Sequence, residues 1–336
     1  MATEIQQELG NIFKLNNCEL FTDSSIGIVL SSINYQQPEE LLQAAETAMN
    51  QAKTLGKSSQ MIFDTAMQQR GIRRLQLDAD LRQALENKEF QLYYQPILSL
   101  SNHQIIGFEA LIRWHHPQRG LVSPAEFIPL VEETSLIVPL GAWVLREATH
   151  QIMLWQTKFP MNPPLSMSIN VSPVQLTQPF FIELIDRLLK ETEIPPSSLK
   201  LEITETAVME NAQSVKNILF HLKERGIHLS IDDFGTGYSS LSYLHSFPFD
   251  VLKIDRAFVS SMSVDPKNLE IIRTIIMLAH NLGMDLIAEG IETEEQSSQL
   301  EDLKCEYGQG YLFSRPVDSE AAERLLQSET ISVNAI

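Results

Sequence analysis

The sequence holds two cysteines, Cys18 and Cys305, in 336 residues. They are too few and too far apart for a disulfide framework, which fits a reducing cytoplasm better than a secreted, stapled domain. Long hydrophobic runs are also lacking. The longest candidate, Leu136 to Leu145, is broken by Pro139 and Gly141, well short of the roughly 20 apolar residues that span a bilayer. The N-terminus has no basic-then-apolar secretory pattern. The sequence therefore reads as a soluble cytoplasmic protein with no membrane span. Positive charge is scarce: 25 Lys and Arg stand against 43 Asp and Glu, a formal net charge of -18. Nucleic-acid polymers demand a concentrated positive surface to release counterions, so they are poor partners for this chain. A small anionic substrate remains open if bound cations reverse the local sign.

What is present is a succession of short apolar runs. Within residues 19 to 69 stand one alternating run, "SIGIVLSS", and one helical pattern, "PEELLQAAETAMNQAKTLGKS", with Leu41, Leu42, Ala45, Ala48, Met49 and Ala52 on one stripe and Gly56 as its stop. One strand and one helix cannot enclose a core. Residues 70 to 88 read as a helical connector. Beyond it come eight runs with strand character: "FQLYYQPI", "IIGFEALIRW", "LSMSINVS", "LKLEITE", "HLSIDD", "VLKID", "DLIAEG" and "YGQGYLF". Helical stretches such as "FFIELIDRLLKE" and "LEIIRTIIMLAHNLG" lie between most of them. This alternation predicts an α/β fold, a (β/α)8 barrel over residues 89–327 with a C-terminal tail at 328–336. Only "SNHQ" separates the first two runs, too short for a crossover helix, so they should pair antiparallel and leave one strand reversed.

In such a barrel the chemistry gathers at the C-terminal ends of the strands. Inside or beside the runs stand Glu109, Asn170, Glu202, Asp232 with Asp233, Lys253, Glu289 and Gln309. Taken singly, each reads most simply as a solvated strand end or a cap; together they form a convergent set. The set is oxygen-rich, without Cys or His pairs at metal-binding spacing, and so suits Mg2+ or Mn2+ rather than a closed zinc site. Asp232 and Asp233 raise a question of their own, since two carboxylates about 4 Å apart repel by roughly 4 kcal/mol at an effective dielectric near 20. Two shared metal ions would offset that repulsion in the arrangement that clamps both oxygens of a phosphoester under cleavage. The "DFG" triplet at Asp233 has neither a Gly-rich phosphate loop nor a His-Arg-Asp loop beside it, which removes a kinase reading.

Taken in order, "FEALIRW", "INVSP", "LEITET", "IDDFGTGYSSLSYL", "LKIDRAFV", "IAEGIET" and "YGQGYLFSRP" resemble the EAL domain family of cyclic di-GMP phosphodiesterases over about residues 75 to 327. The resemblance implies hydrolysis of one phosphodiester of cyclic di-GMP to linear pGpG, with two Mg2+ or Mn2+ ions. It implies that Glu109, Asn170, Glu202, Asp232 and Asp233 ligate metal, and that Glu289 belongs to the same acidic centre. Lys253 falls where the family keeps a lysine beside the attacking water. Glu205 matches the glutamate that braces the loop at 234 to 237, and Gln95, Arg113, Gln309 and Asp255 match substrate-side positions. Family members commonly form homodimers through the helix after that loop, here "GYSSLSYLHSF".

The N-terminal segment, residues 1–69, resembles the closing strand and helix of a GGDEF diguanylate cyclase domain without its Gly-Gly-Asp-Glu-Phe stretch. The expectation is a truncated, incomplete α+β remnant without cyclase activity that packs loosely or pairs with another chain. Two rival functions stay open at this point. One is a cyclic di-GMP receptor that binds without turnover, and the other an enolase-type barrel with Lys253 as the base.

Overall fold

The computed structural model describes residues 2–10, 12–15, 18–20, 22–30, 37–54, 59–210, 212–235 and 244–328. The chain divides into two compact units, Met1–Gln83 and Ala84–Ile336.

In the first unit, the strands Ile26–Ile28 and Gln60–Ile62 pair in parallel, and the helix Pro38–Thr54 connects them. This is a βαβ turn of chain, one strand more than the sequence pattern announces. Gln60–Ile62 is three residues long with a single half-buried position, Met61, too short to show an alternating signal. Ala44, Ala48, Phe63 and Met67 make a small core, with Val29 and Met61 packed on it. A second pair, Phe13–Leu15 with Cys18–Leu20, is antiparallel. The following helix, Thr65–Ala84, begins five residues before the connector expected at 70–88.

The second unit is a barrel. Its strands are β1 (Phe90–Ser99), β2 (Ile105–His116), β3 (Ser166–Asn170), β4 (Leu199–Thr204), β5 (His228–Phe234), β6 (Val251–Ile254), β7 (Asp285–Ala288) and β8 (Tyr307–Gly308). From β2 to β8 every neighbouring pair is parallel. β1 is antiparallel to both β2 and β8, and these two pairings close the ring. The eight expected runs are the eight strands, with the reversed one in the expected place. A short outer strand, Gly120–Val122, extends β2 from outside the ring.

Most barrel strands are largely buried on both faces, and the alternation sorts two kinds of side chain. In β3, Met167 and Ile169 join the main apolar core with residues of the surrounding helices, while Ser168 and Asn170 occupy the alternate positions. Helix Phe181–Thr192 shows the matching stripe, burying Phe181, Ile185, Leu188 and Thr192 at helical spacing. Ile97, Val251 and Ile287, from β1, β6 and β7, form a separate small cluster with Ile106 and Tyr307.

Cys305 is buried, its Sγ 3.4 Å from the Tyr307 carbonyl, and burial with the neighbouring Glu306 charge pushes its thiol up to about 12. A thiol held protonated and away from solvent does not react. In a Cys18→Ser background, Ellman's reagent at pH 8 should therefore register no thiol in native buffer and a full equivalent in guanidinium. A full equivalent before unfolding would contradict the packing described. Among the described residues, no helix is long and apolar enough to cross a membrane.

Candidate active site

Lys253, next to last in β6, is wholly buried, and its ammonium is the hub of the barrel mouth. Its Nζ lies 2.6 Å from Glu289, 2.7 Å from Glu202, 3.3 Å from Asp232 and 3.4 Å from Glu109. These carboxylates come from β2, β4, β5 and the residue that follows β7. The parallel strands bring them together by stagger, as tilted barrel strands do: Asn170 pairs with Glu202, but Glu109 pairs with Ser168 and Glu202 with Ser230, each two residues short of Asn170 and Asp232.

Two amides complete the first ring. Asn170 Nδ2 donates to Glu109 Oε1 at 2.7 Å, and Gln309 Nε2 donates to Glu109 Oε2 at 2.7 Å and to Glu289 Oε1 at 3.0 Å. The environments drive these acids apart. Burial raises Glu109, but the Lys253 charge and the Gln309 and Asn170 hydrogen bonds outweigh it and hold the carboxyl below its ordinary range. At Glu202 burial dominates; Lys253 opposes it, Glu109 and Asp232 add repulsion, and the carboxyl ends well above that range. Glu289 is pushed up to about 8, by burial first and then by Asp232 and Glu109, against the pull of Lys253. Lys253 itself, despite burial, is lifted well above a free amine by its four carboxylates.

The adjacent aspartates differ in backbone conformation and in partners. The register between β5 and β6 shifts between Ile231 and Phe234, and Asp233 sits at φ 55°, in the left-handed region that Asp tolerates better than most residues. Asp232 turns to Lys253 and accepts the Asp233 N–H at 3.0 Å. Asp233 hydrogen-bonds with Asp255, and burial, then the Asp232 and Asp255 charges, push it up to about 6. The positive group beside the pair is the Lys253 ammonium.

The arrangement fits hard divalent cations. Carboxylate oxygens of Asp232, Asp233 and Glu289 lie within 4.8 Å of one another. Glu202 Oε1 is buried without any hydrogen-bond donor, although the same carboxylate's other oxygen holds Lys253. A carboxylate oxygen in that position is costly unless something positive faces it, and an all-oxygen donor set is what Mg2+, Mn2+ or Ca2+ takes.

The remaining expected residues lie around this centre. Glu205, at the end of β4, accepts the Gly235 N–H at 2.9 Å; Gly235 sits at φ 93°, where a side chain would be strained and would press on Phe258. Gln95 pairs in register with Glu109 and donates to the Ser314 carbonyl at 3.1 Å. Arg113 is half-buried, its guanidinium 5.6 Å from the Tyr93 ring centre. Asp255 caps the short helix Arg256–Val259 by accepting from Ala257 N–H at 2.8 Å. Thr236, Gly237 and most of the stretch expected to form a dimer helix, including Tyr238 and Leu241, lie outside the described residues. Leu244 is buried.

Sequence reasoning passed over several side chains here. The Tyr311 ring lies 4.2 Å from the Arg315 guanidinium and 5.9 Å from that of Arg256, which is paired with Glu292 at 2.9 Å. Ser172 donates to Glu132 at 2.6 Å. "YLFSRP" and "INVSPVQL" do carry Tyr311, Arg315 and Ser172, but these have no spacing that marks them.

Comparison with known proteins follows from this geometry. The profile of the EAL domain matches residues 78–316. The bifunctional diguanylate cyclase/cyclic di-GMP phosphodiesterase MucR of Pseudomonas aeruginosa is 38% identical over 98% of this chain and 47% of its own length. The cyclic di-GMP phosphodiesterase NbdA of the same organism is 36% identical over 98% of this chain and 42% of its own. The chain thus spans about half the length of these curated relatives. Among solved structures, the PaMucR phosphodiesterase in complex with c-di-GMP superposes with a TM-score of 0.70 at 42% identity, covering 74% of this chain and 99% of that one. By sequence profile, by relatives and by barrel, this chain belongs to the EAL domain family.

Proposed function

We propose that this protein hydrolyses one phosphodiester bond of cyclic di-GMP, releasing linear pGpG, with Mg2+ or Mn2+ as cofactor. The single observation that carries the reading is the gathering of Glu109, Glu202, Asp232 and Glu289 around Lys253 at the barrel mouth, in a family whose relatives bear that activity in their names. Glu109, Asn170, Glu202, Asp232 and Asp233 are the residues that would hold two ions. Such ions, when bound, lower the pKa of water and offset phosphate charge.

The chain's own residues supply the rest. An amine with four carboxylates within 3.4 Å keeps its proton. Lys253 therefore serves as a donor and a fixed positive charge that steadies charge on the phosphate, which weighs against the enolase-type reading with Lys253 as base. Gln309 and Asn170 fix the Glu109 carboxylate in one orientation. Arg113 suits a forked contact to a phosphate, with Gln95 and Asp255 beside it. Glu205 ties Gly235, the first turn of the loop after β5, to the end of β4.

Residues 1–69, the connector and the barrel are separate parts of this proposal, and the first carries no cyclase chemistry in it. A homodimer belongs to it also and rests on the resemblance alone. Incubation with cyclic di-GMP and Mg2+ or Mn2+, followed by anion-exchange chromatography, should yield pGpG, and the yield should vanish in Glu109→Ala. Tight binding with no pGpG would favour the receptor instead.

A further inference from the structure

Arg113 stands four residues after Glu109 in β2, so strand alternation puts both side chains on one face. Antiparallel pairing with β1 sets Gln95 opposite Glu109, Tyr93 opposite Leu111 and Gln91 opposite Arg113, and directly opposed residues share a face. Tyr93 therefore belongs to the same row as the acidic centre and its nearby arginine.

The half-buried guanidinium is held in an unusual way for so acidic a surrounding. The Glu109 charge reaches it, yet among the described residues no carboxylate comes within ion-pairing distance of Arg113. Its Nη1 donates to the Ile112 carbonyl at 2.9 Å. One such bond leaves most of the N–H donors of an arginine unused and does not by itself fix the plane of the fork. The flat partner is Tyr93, whose ring the guanidinium overlies at 5.6 Å from the centre. Tyr93 is backed in turn by the His115 ring, with centres 6.0 Å apart and planes tilted by 36°. A carboxylate in that place would occupy the donors and cancel the charge. An aromatic face attracts the cation and leaves its N–H groups open to an anion.

We propose that Tyr93 is a positioning residue for the reaction, its ring face holding the Arg113 guanidinium in the orientation that receives a phosphate of the substrate. The inference rests on the cyclic di-GMP reading above. It assigns the work to the ring and none to the phenol hydroxyl, so phenylalanine should serve as well as tyrosine, and an aliphatic side chain should not.

The test is a double-mutant cycle on cyclic di-GMP hydrolysis with Tyr93→Leu, Arg113→Ala and the two combined, alongside Tyr93→Phe. Tyr93→Leu should lower kcat/KM about two- to fivefold, the equivalent of a partly exposed cation–π contact. Tyr93→Phe should match the wild type, and with Arg113→Ala already present Tyr93→Leu should cost nothing further. A general loss of packing would not disappear with the arginine. The cycle is repeated with Tyr93→Met, so that the outcome does not hang on the folding of one replacement. An equal loss in the Arg113→Ala background, a loss in Tyr93→Phe, or full activity in a folded Tyr93→Leu protein would overturn the assignment. A wild-type chain that neither binds nor cleaves cyclic di-GMP would instead remove the reading on which it rests.

Discussion

Lys253→Met lowers cyclic di-GMP turnover by roughly a hundredfold to ten-thousandfold, the range for losing a positioned donor and charge at a reacting centre. The same change, measured in chelator, destabilises the fold by about 3–5 kcal/mol, because it strands buried carboxylates without their cation. The Lys253 ammonium touches Glu109, Glu202, Asp232 and Glu289 together. Urea denaturation in EDTA and in Mn2+ separates the two effects. If metal ions occupy the same acidic centre, Mn2+ should stabilise the variant more than the wild type. A variant as stable as the parent in EDTA would show that the lysine does not neutralise the cluster.

Glu289→Gln should move stability the other way. Glu289 is held up to about 8 in the folded protein, so between an ordinary carboxylate pKa and that value the folded state binds more protons than the unfolded one. Its contribution is fully favourable at low pH and is lost as pH rises through the folded value. Without metal, the wild type should therefore lose stability from pH 5 to pH 9 more steeply than the glutamine variant, which at pH 9 should be the more stable by at least about 1 kcal/mol. Parallel curves would contradict the excess of acid over base described at the mouth. Removing this acid should also weaken Mn2+ binding, since Glu289 shares a 4.8 Å cluster with Asp232 and Asp233.

These two variants probe a centre whose members were readable along the chain, though its shape was not. Glu109, Glu202, Asp232 and Lys253 stand on four strands of one barrel, and β-strand alternation with crossover helices makes that placement legible from residue spacing. The four-residue link "SNHQ" likewise disclosed the reversed strand, because no helix fits in it. Backbone conformation stayed hidden: nothing in "IDDF" announces φ 55° at Asp233 or the register shift that spans the two aspartates. Short elements stayed hidden as well. Gly120–Val122 buries one residue and pairs only with the far end of β2, and Gln60–Ile62 buries none. The packing of the Gln175 amide on Gly141 was unreadable for another reason, since the two stand more than thirty positions apart.

Anomalous diffraction at the manganese edge, from crystals soaked in Mn2+, tests the centre most directly. Peaks should appear between Glu109, Asn170, Glu202, Asp232 and Asp233, with Lys253 still beside them. Bare density at the mouth, or manganese bound only at other acidic surfaces of this strongly negative chain, would contradict a metal-dependent phosphodiesterase built on these residues.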